Sequence, residues 1–188
     1  MSSLNSKYAG AKTGVFWDIE DCPIPNGLDP VSVYRNIKTA LANQGYRGEV
    51  TIKAFKEKKT IRNDFELAGI NLEIAGDKHG RFTSMYHAFF SWVLQNRDTT
   101  NLLIISRDKT EFVTFLQDSV GENYNVLVAE SEDPPEKCSK CGVALDKPPF
   151  TKKPVFGNEE WFWTSLANGG DPITTITKCK KPKVTQED

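Results

Sequence analysis

Apolar and polar positions along this chain alternate in two rhythms, and the changes between them outline a fold. Residues 14–17 (Gly-Val-Phe-Trp) form an unbroken apolar run that reads as a buried strand. Asp29-Pro30 opens a helix, with Asp as N-cap and Pro at the first helical position. Val33, Tyr34, Ile37, Ala40 and Leu41 then recur at helical spacing until Gly45 closes the segment. Val50, Ile52 and Ala54 alternate with Thr51, Lys53 and Phe55, which predicts a second strand. Residues 60–68 predict a short helix stopped by Gly69, and Ile70, Leu72 and Ile74 a third strand.

The most apolar helix is predicted over residues 82–95, with Phe82, Met85, Tyr86, Phe89, Phe90 and Val93 at helical spacing. Residues 102–105 (Leu-Leu-Ile-Ile) have the pattern of a central parallel strand covered on both faces. Residues 110–120 predict a helix and residues 125–129 a further strand. Strands separated by helical crossovers call for an α/β fold, an open parallel sheet of about five strands with helices on both faces. The character changes after residue 129, where acidic and then basic proline-containing stretches begin a C-terminal extension over residues 131–177. Within it, residues 158–167 predict a short amphipathic helix. Such a helix is too short to persist alone, so Trp161, Phe162 and Leu166 are expected to dock it on the main domain. Residues 178–188 are expected to be a disordered tail.

Composition narrows the function classes. A hydrophobic content of 38% and a charged content of 26% suit a soluble globular protein, and the net charge of −1 supplies no global basic field. Nucleic-acid contacts would therefore come from local patches. No segment approaches the length of a membrane span, and the N-terminal residues lack a signal-peptide pattern. Four cysteines do not form a disulfide framework in a chain of this size, so a reducing compartment is expected. Cytosol or nucleus is the default, with peroxisome and mitochondrion left open.

The chemistry concentrates at the end of the first strand. Asp18-Ile19-Glu20-Asp21 places three carboxylates within four residues, and Pro23, Pro25 and Gly27 then stop the strand. Such a cluster is costly at the end of a buried strand unless it is neutralised. A divalent metal is the obvious neutraliser, and a carboxylate-held metal points to phosphoryl chemistry. In open parallel sheets, sites form beyond the carboxyl ends of strands where strand order reverses. The strand at residues 102–105 ends in Ser106-Arg107-Asp108, so Asp108 is expected to converge on Asp18, with Glu20, Asp21 and Glu111 nearby. The plainer reading makes Asp108 or Thr110 a helix cap and Glu20 and Asp21 solvated turn residues. It is the simpler one for any single acid, whereas Asp18 and Asp108 together point to a shared site.

Three other constellations carry alternatives. Lys53, Lys56, Lys58, Lys59 and Arg62 form a basic run around Phe55, and Lys78, His79 and Arg81 form a second patch. Either is a solvated surface or a guide for nucleic-acid phosphates. Trp161, Phe162 and Trp163 either stack on bases or anchor the C-terminal segment. Cys138 and Cys141 have the spacing of half a zinc site, but a second pair is missing. The options are a degenerate ribbon, Zn2+ completed by Cys179, or free thiols.

Phe16-Trp17-Asp18-Ile19-Glu20-Asp21-Cys22-Pro23 resembles the opening of the NYN domain, a PIN-like nuclease domain. It looks like the limkain/meiosis-regulator subtype, which has many plant members and typically reads W-D-I-E-N-C. The resemblance covers residues 12–130. It implies an RNA-directed protein, acting on single-stranded RNA, with Mg2+ or Mn2+ held by Asp18, Asp21 and Asp108. Asp18, Asp108 and Glu111 would be the catalytic acids. Lys53, Lys56, Lys59, Lys78 and Arg81 would be candidate RNA contacts. Two departures stand out. The family places an aspartate near the start of the long helix, where Lys78-His79-Gly80-Arg81 here leads to Phe82. The family's D-x-D-F pattern is replaced by Asp108-Lys109-Thr110-Glu111-Phe112, one residue longer. Two functions follow: a metal-dependent endoribonuclease in post-transcriptional regulation, or a catalytically degenerate RNA-binding or scaffold protein working through protein partners. A different phosphoesterase on the same sheet is a third.

Overall fold

The computed structural model describes residues 7–58, 64–107, 112, 123–131 and 159–173. Within them the chain runs β1 (Lys12–Asp18), α1 (Pro30–Asn43), β2 (Val50–Lys56), α2 (Asp64–Leu67), β3 (Ile70–Ile74), α3 (Lys78–Gln95), β4 (Thr100–Ile105), β5 (Tyr124–Glu130), β6 (Glu160–Phe162) and α4 (Trp163–Ala167). All strands are parallel and lie in the order β3-β2-β1-β4-β5-β6. This is the expected open α/β sheet, with one strand more than the sequence pattern gives.

Strand alternation divides the core into two layers. Val15 and Trp17 of β1 join Ile52, Leu103, Leu127, Val33, Ile37 and Leu41 on the face covered by α1, α2 and α4. Phe16 joins Phe55, Leu102, Ile104, Met85 and Phe89 on the face covered by α3. Asp18, two residues after Phe16, therefore also faces α3. Gly14 shares that face for a steric reason, since a Cβ there would lie 2.8 Å from the Trp92 indole of α3.

Local signals fix the helix ends. The Asp29 side chain accepts the Ser32 N–H at 2.6 Å, so α1 starts with the predicted cap and proline. Helix α3 begins four residues earlier than its apolar period suggests, because Asp77 caps it by accepting the Gly80 N–H at 2.9 Å. The C-terminal segment differs more. Glu160–Phe162 is a strand that extends the sheet beside β5, and only then does a helix begin at Trp163. Trp161, Trp163 and Leu166 are buried, so the segment docks on the main domain as its aromatics require. No helix among the described residues is long and apolar enough to cross a membrane.

Candidate nucleic-acid site at the strand switch point

Strand order reverses between β1 and β4, and the site expected there begins with Asp18. Trp17 pairs with Ile105, so the end of β1 lies beside Ser106 and Arg107. Asp18 is 4% exposed. One carboxylate oxygen accepts the backbone N–H groups of Glu20 at 3.0 Å and Asp21 at 3.3 Å, closing a tight turn after the strand. Both oxygens accept the Arg81 Nε–H at 3.0 Å. The same guanidinium approaches the Asp21 carboxylate at 3.9 Å.

One charge of the cluster, that of Asp18, is thus countered from within the chain. Arg81 is 5% exposed, and with Met85, Ala88 and Phe89 it lies on the buried stripe of α3. Its placement in a surface patch is corrected by this burial: the guanidinium turns into the sheet rather than toward solvent. Beginning the helix at residue 82 hid this. Counting the period back from Met85 by four reaches Arg81 and is the signal that finds it. Burial pushes the Asp18 carboxyl above the usual carboxylate range; the Arg81 hydrogen bond opposes this and the Asp21 charge reinforces it.

Asp18 is arranged as an ion-pair partner of Arg81 rather than as a free ligand for a divalent ion. A metal bound to either oxygen would meet a guanidinium already bonded to both, and like charges at such distances repel strongly. Among the described residues no three His, Cys, Asp or Glu side chains gather to hold a metal. Asp77, a conceivable substitute ligand, is occupied as the cap of α3. Asp108 and Glu111 lie outside the described residues, as do Lys59 and the cysteines at 138, 141 and 179. Phe82 packs on Phe112 with ring centroids 4.7 Å apart, so the position that departs from the family pattern serves the core.

Two indoles hold the turn from below. Trp17 Nε1–H donates to the Cys22 carbonyl at 2.7 Å, and Trp163 Nε1–H donates to the Pro23 carbonyl at 2.7 Å. The two rings pack with centroids 4.8 Å apart. Cys22 is fully buried beneath the turn, and burial, reinforced by the Asp21 and Asp18 charges, pushes its thiol up to about 12. Sequence reasoning weighed Trp163 only as an anchor or a stacking ring, because nothing in its spacing points across the fold to Pro23.

The end of β2 comes to the same edge. Asp18 pairs with Phe55, and the Glu57 N–H donates to the Glu20 carboxylate at 3.2 Å. Lys56 ends β2 half-buried, Lys53 is half-buried on the other face of the strand opposite Phe16, and Lys58 pairs with Glu57 at 3.6 Å in solvent. Lys78 and His79 are exposed in the first turn of α3, and Arg107 is exposed after β4. Exposed cations thus stand on the first turn of α3 and just after β4, at the carboxyl ends of the strands that flank the Asp18–Arg81 pair. No curated protein matches the chain. Residues 12–150 match the sequence profile described as NYN domain, which spans β1 to β5 and the switch point. By that match over most of its length, the chain belongs to the NYN domain family, whose fold is that of PIN-like, RNA-related nucleases.

Proposed function

We propose that this NYN domain binds RNA without cleaving it, the internal Asp18–Arg81 pair standing where the family's nucleases hold a metal. The observation that carries the reading is the buried guanidinium 3.0 Å from both Asp18 oxygens. Catalysis by metal needs a carboxylate free to ligate and to polarise the scissile phosphate. Here that carboxylate is bonded to a cation already. Lys56, Lys78 and Arg107 supply phosphate contacts around the switch point, and such contacts give affinity without sequence preference. The limkain-type motif at residues 16–23 supports a role in post-transcriptional regulation, carried out on single-stranded RNA through protein partners.

The test is a paired measurement on an unstructured RNA. Binding is followed by fluorescence anisotropy, and cleavage on gels, in Mn2+, Mg2+ or EDTA. The expected result is binding unchanged by EDTA and intact RNA in either metal. Cleavage in Mn2+ that disappears in Asp18→Asn would overturn the reading and restore the metal-dependent endoribonuclease with Asp18, Asp21, Asp108 and Glu111 as its acids. Absence of RNA binding in every condition would overturn it as well.

A further inference from the structure

Trp163 lies beyond the residues that the NYN profile matches, yet it touches the switch-point turn directly. It is delivered there by β6 and α4, whose Trp161, Leu166 and Ala167 are buried in the same core layer as Trp17. Two features show that the contact is specific. The indole N–H meets the Pro23 carbonyl at 2.7 Å, and the ring rests on Trp17, whose own N–H takes the preceding carbonyl. Adjacent carbonyls, those of Cys22 and Pro23, are thus each captured by an indole. Between these anchors and the Cys22 N–H bond to the Asp18 carbonyl at 3.0 Å, the backbone of residues 18–23 is fixed at both ends.

What the turn carries gives that fixation its consequence. Asp21 is held inward, its side chain 15% exposed and 3.9 Å from Arg81. Left free, it would add a carboxylate to the edge where Lys56, Lys78 and Arg107 sit. We infer that Trp163 is a positioning residue that keeps Asp21 turned onto Arg81, so that the C-terminal segment sets the electrostatics of the RNA-binding edge. This rests on the RNA-binding reading above for its functional half. Its structural half, the locking of residues 18–23 by a residue at 163, stands without it.

The experiment uses the full chain with Trp163→Phe, which keeps an aromatic ring beside Trp17 and removes the N–H donor together with part of the indole's buried volume. Hydrogen exchange is expected to quicken at the amides of residues 20–22 and stay unchanged in β4 and β5. RNA affinity is expected to fall about fivefold, the factor that one uncompensated charge a few ångströms from a phosphate produces in water. Adding Asp21→Asn to Trp163→Phe should restore the affinity, which a merely structural loss would not allow. Unchanged exchange in the turn, or equal quickening throughout the sheet, overturns the inference. So does a Trp163→Phe affinity loss that Asp21→Asn leaves in place. If the wild type binds no RNA but the turn alone quickens, the RNA reading fails while the lock survives.

Discussion

The buried pair of Asp18 and Arg81 makes a sharp thermodynamic prediction. Both side chains are 6% exposed and meet at 3.0 Å. Two unit charges about 4 Å apart attract by about 4 kcal/mol at an effective dielectric of about 20. Much of that is offset by the cost of drying both groups, so the intact pair adds little net stability. Removing one partner is different, because the other is left dry and unpaired. Arg81→Met should therefore destabilise the protein by about 3–5 kcal/mol. Adding Asp18→Asn should recover part of the loss, with a coupling energy on the order of 2 kcal/mol. Urea unfolding followed by circular dichroism measures all three variants. The sign of the pH response provides a second check. Without Arg81, burial and the Asp21 charge raise the Asp18 carboxyl with less opposition. An acid raised above its unfolded value burdens the folded state at neutral pH, and protonation removes the burden. Arg81→Met should thus regain stability as pH falls through the raised Asp18 value toward the unfolded carboxylate range. An Arg81→Met loss under about 1 kcal/mol, the scale of an exposed pair, would refute the reasoning. So would single-variant losses that simply add.

Other outcomes follow from single positions. Gly80→Ala places a Cβ 2.1 Å from the Ala75 carbonyl oxygen, so the first turn of α3 must shift, at a cost of about 1–3 kcal/mol by urea titration. Leu166→Ala, at a fully buried site in α4, should cost about 2–5 kcal/mol, and a loss below that range would mean the C-terminal segment is not part of the core. The Cys22 thiol, pushed up to about 12, should resist alkylation at pH 8 in the folded protein and react after unfolding, as peptide mass mapping reads. Mn2+ and EDTA should leave the melting temperature unchanged, and a rise with Mn2+ would show a metal bound to the folded state.

The sheet was legible because burial writes itself into apolar runs. Residues 14–17 and 102–105 read as buried strands from their apolar runs, the switch-point rule set them side by side, and they pair as Gly14–Leu102 through Trp17–Ile105. Asp29-Pro30 marked its helix for an equally local reason, a cap and a fixed φ. The site was half legible. Asp18 stood out because charge at a strand end demands a partner, and a partner exists. Its identity was obscured because Asp77, not the first aromatic, starts α3, which moves Arg81 from loop to buried stripe. The strand at Glu160–Phe162 escaped notice because a stretch of that length carries too few positions to show a period. Contacts such as Trp163 to Pro23 depend on tertiary placement and leave no spacing to read.

The order of synthesis gives that last contact a temporal meaning. Pro23 and Trp163 are 140 positions apart. Chains are made from the N-terminus at about 5–20 residues per second, so the turn waits about 7–28 s for its second indole. During that interval β1 to β5 can pair, yet the Pro23 carbonyl at the end of the turn lacks its indole. The domain therefore reaches its finished charge pattern after the rest of the sheet, when its C-terminal strand has been added. A nascent chain halted before residue 163 would carry the family's signature motif without the clamp that sets its shape.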